Sequence, residues 1–600
     1  MKKIIISIVL VVGFTFAATN LVKVNADLSK ATMLNIPTFY SDNNTLSLLE
    51  EESKTIVEPA KWEKLTPYAS GVIVDSGPHR YTIAFAAGGH HYPINYCGSA
   101  NKVVIINRAF SPSGNLNYHI YDVNTASFVH DLPFYQFDGT ENMGARYPTA
   151  FAGSDHPYAS FPGLVTGPAW GKVWANIREG WDAGQTWGGF LDLGPGDIKS
   201  YNAVGYYLPG DYVLIYAKIS DPQKTVYRLT TGDLSITVDE GDLFDAEVAF
   251  SSDYNPTAGK GVIVAWDDAG SQYLYRTFDE DGNIEDEVPA SIDGLGFLVP
   301  EDWADKPITW YVDGQVVVTD DGKIGKLVWF TLQDHWDSDN DYPIPADYPG
   351  YGYINYIPDF PNWETVYAPP IADAFMKQIS LRGHSIATKD DYTSLIFTAP
   401  ADPQPNNTNK YDVFMTTCNF NTSNDDERWT DVVNLTETSD KCENYAVAAP
   451  RLMKVNDSTY TAFVLYATKI GAEGEDDLWN NWYGGDPLDP LYLYMLSASV
   501  NLTGGGGGVI VNKEMEINYN ISARINKGRA LVEYSIPHSS KVKISLFDIN
   551  GRKVHDIYNG NSKAGLNSVT FDLNEYAIGN YFVILKTDDK TLSTKLMVVR

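Results

Sequence analysis

Tyr212-Val-Leu-Ile-Tyr-Ala217, followed after the polar stretch containing Asp221-Pro222 by Thr225-Val-Tyr-Arg-Leu229, is the pair of runs that decides the fold. Both runs are short, β-branched and aromatic, and a turn-forming dipeptide separates them, which predicts a β-hairpin. The same pairing recurs. Val262-Ile-Val-Ala-Trp266 precedes Tyr273-Leu-Tyr-Arg276, Ser394-Leu-Ile-Phe397 precedes Val413-Phe-Met415, and Ala462-Phe-Val-Leu-Tyr466 precedes Tyr492-Leu-Tyr-Met-Leu496. Tyr81-Thr-Ile-Ala-Phe85, Leu327-Val-Trp-Phe330 and a hairpin around Tyr158 and Trp174 extend the series. Hairpin centres then fall near residues 83, 159, 215, 264, 328, 396 and 464. That spacing suits four-stranded units with loop insertions, and radial repetition of such units makes a β-propeller. A string of separate β-sandwiches would need linkers, and no Pro/Ser/Gly-rich break occurs between 67 and 500. The expectation is an all-β chain with a large β-propeller over residues 67–502. Seven blades are predicted, with six or eight as the alternatives.

The rest of the chain agrees with an extracellular β-protein. Aromatic residues reach 13%, carried by 39 Tyr and 14 Trp, a bias that suits strands. The formal charge of −32 argues against binding nucleic acid or an anionic membrane through the bulk surface. Charge is unevenly placed. Residues 509–600 carry 13 Lys/Arg and 9 Asp/Glu, a balance of +4, which leaves −36 for the remainder. At the start, Lys2 and Lys3 precede the uncharged run Ile4 to Ala18, a cleavable export leader over residues 1–26 with cut sites after Ala18 or Ala26. The run is shorter than the ~20 residues a spanning helix needs, so no transmembrane segment is expected after cleavage. Residues 27–66 form a polar lead-in with one short helix around Leu46 to Lys54. Three cysteines make no disulfide scaffold. Cys418 and Cys442 flank one loop and could bridge it, while Cys97 near His90 and His91 reads as ordinary structure rather than a metal site.

Thr503 and five glycines, Gly504 to Gly508, cannot hold a fixed backbone cheaply. They coincide with the charge shift, so residues 503–508 are expected to be a linker and 509–600 a separate domain. In that domain Lys541-Val-Lys-Ile-Ser-Leu546 alternates strictly and Tyr581-Phe-Val-Ile-Leu-Lys586 more loosely, the pattern of a small Ig-like antiparallel sandwich. Asn550-Gly551 is a tight-turn pair, with Gly551 free to take positive φ. Together, Ile536-Pro537, Leu546-Phe-Asp-Ile-Asn-Gly-Arg-Lys-Val554, Ala564-Gly-Leu-Asn567, Gly579-Asn-Tyr-Phe582 and Lys595-Leu-Met-Val-Val-Arg600 resemble the type A C-terminal sorting domain of type IX secretion cargo. The resemblance places Asp548, Gly551, Arg552, Gly579 and Tyr581 in the family motif. It implies passage through the periplasm to the outer-membrane secretion machinery. It also implies removal of the domain by a sortase-like peptidase, often with transfer of the cargo to the surface.

Asp182-Ala-Gly-Gln-Thr-Trp187 resembles the Asp-box of sialidase-like propellers, with Gly180 where that pattern has Ser or Thr. In this reading Asp182 accepts backbone N–H groups, Gly184 supplies an unusual φ, and Thr186 and Trp187 complete a structural turn. Ser423-Asn-Asp-Asp-Glu-Arg-Trp429 is a degraded second copy. Sialidase chemistry would further need clustered arginines, a Tyr nucleophile with Glu, and an Asp acid/base. Nine Arg occupy residues 67–502, Arg80, Arg146, Arg276 and Arg451 among them, and no carboxylate pair stands out.

Asp337, Asp339 and Asp341 place oxygen ligands at alternate positions, which suits Ca²⁺, although the EF-hand pattern fails at Tyr342 and Tyr348. Tyr351, Tyr353 and Trp363 follow closely, and Trp479 and Trp482 form a second aromatic segment; both could stack on sugar rings. No phosphate-binding glycine motif, zinc-protease helix or Gly-x-Ser-x-Gly elbow occurs. These features favour a non-enzymatic surface module that binds a glycan or a surface protein. A sialidase-like glycan hydrolase is the alternative.

Overall fold

The computed structural model describes residues 21–25, 31–32 and 71–76, most of 91–511 and most of 520–598. Among the described residues, seven sheets of four to six strands follow one another in the first part, antiparallel throughout except that Ala31–Thr32 pairs parallel with Ile308–Tyr311 in the fifth. By their main strands they are sheet I (94–135), II (143–192), III (200–240), IV (248–291), V (308–380), VI (384–434) and VII (443–501). The central strands are the apolar runs of the sequence. Tyr212–Ile219 pairs with Lys224–Thr230, Lys260–Asp267 with Gln272–Asp279, and Thr459–Lys469 with Leu491–Asn501. Phe161 lies opposite Trp174, as the hairpin around Tyr158 and Trp174 requires. The expected strand Tyr81–Phe85 lies outside the described residues. Sheet I is centred on Lys102–Arg108 and Leu116–Asp122.

Each apolar core lies between neighbouring sheets, because a β-sheet buried on both faces must pack against another on each side. Val104, Ile106 and Phe161 join sheets I and II, and Tyr158, Val173, Ile215 and Leu229 join II and III. Val204, Leu214, Ile263 and Phe278 join III and IV, and Val264, Trp329, Phe397 and Phe414 run through IV, V and VI. Ile396, Met415, Val464 and Leu496 join VI and VII. Ile105, Phe463 and Leu493 then pack VII against I, so the sheets close into a ring. This is the radial arrangement of a β-propeller, and the all-β expectation holds.

Ring closure uses the front of the chain. Val72–Ser76 supplies an outer strand of sheet VII by pairing with Tyr492 to Met495. Leu21–Asn25, which the later of the two candidate leader cuts would remove, pairs with Gly296–Pro300, and Val22 and Val24 pack on the core there. The other leader residues and the expected helix at 46–54 lie outside the described residues.

The linker expectation needs correction at its end. Gly508–Val511 is a strand that pairs with Ala498 to Asn501, extending the outer edge of sheet VII. Glycine bears no side chain, but its N–H and C=O still serve a ladder, so Gly508 belongs to the ring.

From Asn520 the chain forms a second unit. A three-stranded sheet (Asn520–Asn526, Arg529–Ile536, Gly565–Asp572) shares one core with a four-stranded sheet ordered Lys553–Ser562, Ser540–Asp548, Gly579–Lys586, Thr591–Val598. The alternation read from the sequence is the cause. Val542, Ile544, Leu546, Val583 and Leu585 point inward and are fully buried, while the residues between them are on the other face, where Ser545 is covered and bonded to Asp556. Among the described residues no helix is long and apolar enough to cross a membrane.

Candidate functional site

The innermost strands line the ring axis, and their side chains tie each sheet to the next. In sheets I and II, Thr149 Oγ1 accepts the Tyr92 N–H at 3.2 Å. Ser160 Oγ donates to the Ala203 carbonyl at 2.7 Å, and Tyr206 Oη meets Ser252 Oγ at 2.7 Å, which joins II to III and III to IV. Ser251 Oγ accepts the Val316 N–H at 3.0 Å, and Asp253 Oδ2 the Val318 N–H at 2.6 Å. Gln315 makes both amide bonds to Ile386, at 2.8 and 3.1 Å, and Ser385 Oγ accepts the Ala448 N–H at 2.7 Å. At the closing seam Asp75 accepts from Asn107 at 2.7 Å and Asn117 at 2.8 Å, and Asn107 in turn meets His119. At these seams side chains satisfy backbone groups of the next sheet, whereas Thr388 of sheet VI pairs directly with the backbone around Arg451 of sheet VII.

Arg451 and Tyr92 reach across the ring. Arg451, from sheet VII, donates through Nη2 to Asp253 Oδ2 at 2.6 Å and to the Tyr254 carbonyl at 2.7 Å, both on sheet IV. Tyr92, beside sheet I, donates its hydroxyl to the Ser252 carbonyl at 2.7 Å. The Asp253 side chain is 2% exposed and that of Arg451 11%. Burial raises the Asp253 carboxyl above its usual range, with the Arg451 charge and the Val318 N–H opposing. Burial likewise raises the Tyr92 hydroxyl, reinforced by Asp253. An acid held by a buried arginine and a buried tyrosine bonded to a carbonyl are closing contacts at the axis. Of Arg80, Arg146, Arg276 and Arg451, Arg451 alone among the described residues reaches this point. Arg276 bonds the Glu285 carbonyl at 3.4 Å, and Arg80 and Arg146 lie outside the description.

The sequence carries a signal for this cluster. Ser251-Ser252-Asp253 interrupts the apolar pattern of a strand and is fully buried. A buried polar run in a β-repeat marks the innermost strand, where each polar group meets the next sheet.

The Asp-box-like segment connects the third strand of sheet II, Trp170–Ile177, to the fourth, Leu191–Asp192. Gly184 takes φ +85°, as expected. Asp182 is exposed, and among the described residues its backbone, not its carboxylate, makes the bonds: its carbonyl accepts from Arg178 at 2.9 Å and from the Gln185 N–H at 3.3 Å. The carboxylate that receives the Thr186 N–H is Glu179, at 3.1 Å. Trp187 packs on Phe134 at 4.3 Å and Tyr118 at 4.7 Å between ring centroids, and forms an isolated bridge with Arg178. Trp429, in the degraded copy, makes the matching bridge to Cys418 in sheet VI. The two segments occupy equivalent places, each bringing a tryptophan against the preceding strand of sheet II or VI.

The aromatic platform is corrected in part. Tyr353 is fully buried in the strand Tyr351–Phe360, and Trp363 is 6% exposed with its Nε1–H on the Ser291 carbonyl at 2.8 Å. Both fill the core between sheets IV and V, because alternate residues of a strand flanked on both faces point inward either way. The Tyr351 side chain, Trp479 and Trp482 lie outside the description. Asp337 pairs through its backbone with Tyr342, while Asp339 and Asp341 lie outside the described residues. Among the described residues no group of three His, Cys, Asp or Glu could hold a metal. The bridge expected from Cys418 is also corrected: its thiol is buried and free, in the core between sheets V and VI, and Cys442 lies outside the description.

In the C-terminal unit the motif residues build one turn and one anchor. Gly551 takes φ +75°, its N–H bonds the Asp548 carbonyl at 3.0 Å, and the Asp548 N–H bonds the Arg552 carbonyl at 3.0 Å. Asp548 accepts the Arg552 N–H at 2.9 Å through Oδ1, and its Oδ2 pairs with Arg552 Nη2 at 2.7 Å. Gly579 opens the strand that carries Tyr581, whose hydroxyl donates to the Ala577 carbonyl at 3.0 Å.

Comparison with known proteins separates the two units. No curated protein matches the chain. Similar solved structures include exo-β-1,3-galactanase from Phanerochaete chrysosporium, 8% identical over 81% of this chain and 92% of that one, with a TM-score of 0.28. AofleA from Arthrobotrys oligospora is 11% identical over 60% of this chain and 90% of its own, at 0.32. Prolyl oligopeptidase B from Galerina marginata is 10% identical over 63% and 46%, at 0.33. At such scores none of these likenesses assigns a substrate or a blade count. The C-terminal unit is different, because residues 526–599 match the family model described as the secretion system C-terminal sorting domain. That segment is a type IX sorting domain, and it places the protein on the route through the periplasm and across the outer membrane to the cell surface or beyond.

Proposed function

We propose that the ring is a seven-bladed β-propeller acting as a non-enzymatic binding module for a glycan or a surface protein, delivered outside the cell by its sorting domain. The observation that carries this reading is the pairing of Asp253 with Arg451 at the axis. A glycosidase of the sialidase-like kind needs arginines free to hold a carboxylate and two acids facing a substrate. Here Arg451 and Asp253 pair with each other and are buried. Ligand contacts are assigned instead to the connection between Thr459–Lys469 and Leu491–Asn501, whose sequence carries Trp479 and Trp482. The experiment is a glycan array and a surface-protein pull-down with the full chain and with Trp479→Ala/Trp482→Ala. Binding by the wild type that the double variant loses supports the reading. Release of a chromophore from aryl glycosides, lost in Asp253→Asn, would replace it with the hydrolase. Ca²⁺ at Asp337, Asp339 and Asp341 is part of the same proposal. Chelation should lower the melting temperature of the wild type and leave Asp339→Ala unchanged.

A further inference from the structure

Among the described residues seven large hydrophobic side chains are exposed, and four of them, Ile549, Val554, Ile578 and Phe582, belong to the small sorting domain. Register shows how two of them are set. On the outer face of the four-stranded sheet Phe547 lies directly opposite Phe582, Lys553 flanks Phe547, and Lys595 flanks Phe582. One row across the sheet therefore reads Lys553, Phe547, Phe582, Lys595. The next row on this face centres on Ser545 opposite Ile584, and the one after pairs Lys543 with Lys586. Ile549, 68% exposed, and Ile578, 64% exposed, flank the ends of the two strands that carry Phe547 and Phe582. Four lysines, Lys543, Lys553, Lys586 and Lys595, stand in these rows, with Asp556 bonded to Lys553 at 2.8 Å and 3.7 Å from Lys543, and Asp548 paired with Arg552 at the turn.

An exposed apolar patch rimmed by charge marks an interaction site, and the sign of the rim selects the partner. We propose that this Phe547/Phe582 face is the surface by which the secretion machinery reads the sorting domain, and that its partner is a protein with an apolar centre bordered by Asp and Glu. The proposal rests on the assignment of residues 526–599 as a sorting domain. The aromatic pair supplies the buried contact, since aromatic side chains dominate interface energies. The lysines supply orientation and speed of encounter. A flat, pleated sheet face suits a protein surface better than a lipid surface, where apolar side chains project from a tip or one side of a helix.

The test uses the full chain in a host with this secretion route. Phe582→Ser and, separately, Lys553→Glu/Lys595→Glu should each lower delivery to the surface and medium at least tenfold, with the chain accumulating folded in the periplasm. Both substitutions are on the outer face, so protease resistance of the purified chain should match the wild type. Delivery within twofold of wild type in both variants overturns the proposal. Binding of the wild type to phosphatidylglycerol/phosphatidylethanolamine vesicles, lost in the charge reversal, also overturns it in favour of a lipid surface. Loss of delivery together with loss of protease resistance in both variants counts against it as well. A chain ended after Tyr519 separates the two levels. If that chain is retained while the face variants are delivered, the face is wrong and the sorting domain stands; if it is delivered normally, the sorting assignment itself fails.

Discussion

The ring and the C-terminal sandwich place polar and apolar residues in opposite ways. In the ring the polar side chains of the innermost strands turn to the axis and bond to the next sheet, as Ser251, Asp253, Gln315 and Ser385 do. The sandwich keeps an apolar centre and shows Phe582 and Ile549 to solvent on its outer sheet. A unit that must close on itself directs its hydrogen bonds inward. A unit that must be read by another protein leaves part of its apolar surface uncovered. The contrast teaches that the polar residues most conspicuous in the ring are structural, whereas the exposed apolar ones in the sandwich are the better guide to recognition.

The largest effect that could break this contrast lies at the axis. Arg451→Ala strands the Asp253 carboxylate in a buried site, and loss of one partner of such a pair costs about 3–5 kcal/mol. Denaturant unfolding should show the ring destabilised by that amount and the sandwich unchanged. An effect below about 1 kcal/mol, the range of exposed ion pairs, would show that water reaches the axis and that the ring is open there. A smaller effect concerns the boundary between the two units. A chain ended after Gly505 loses the strand Gly508–Val511 and should melt below the full chain in its ring transition. A chain ended after Tyr519 keeps that strand and should retain the ring transition. Identical melting of the two shortened chains would return Gly508 to the linker.

The smallest effect sharpens the description of the sandwich surface. A hydrogen bond from Lys553, then one from Ser545, holds the Asp556 carboxyl down to about 2. A carboxyl whose folded value is depressed adds stability above its ordinary range and loses it as the pH falls toward the folded value. Carboxyl NMR titration of the full chain should therefore place Asp556 near the low end. Asp556→Asn should remove a slight acid dependence of sandwich stability between the ordinary carboxylate range and about pH 2. A titration in the ordinary range would show that Lys553 is free to turn toward a partner at all times.

The sequence made the central strands legible because they carry dense β-branched and aromatic residues, as in Val262–Trp266 and Tyr492–Leu496. Val103–Ile106 carries the same signal and marks sheet I, which is not among the expected hairpin centres. Outer strands such as Leu191–Asp192 and Val433–Asn434 are too short to show a period. The innermost strands were hidden for a different reason: Ser251-Ser252-Asp253 looks like a loop until the neighbouring sheet supplies its partners. The same gap separated Asp253 from Arg451, which lie on opposite sides of the ring. In the sandwich the motif from Leu546 to Val554 was legible at once, since a tight turn fixes its residues locally. The burial of Tyr353 and Trp363 was not, because alternation cannot tell a strand with one wet face from one packed on both.

One consequence follows from the strand Val72–Ser76, which completes a sheet whose other strands come last in the ring. A chain delivered front end first must keep that strand waiting, unpaired, until Tyr492 to Met495 arrive. Contacts between such distant segments form slowly, because a long loop must close before they yield any stability. The sorting domain follows directly behind the closing strands. Its place in the chain makes topology a timer: by the time the address has been made, every part needed to shut the ring is already present.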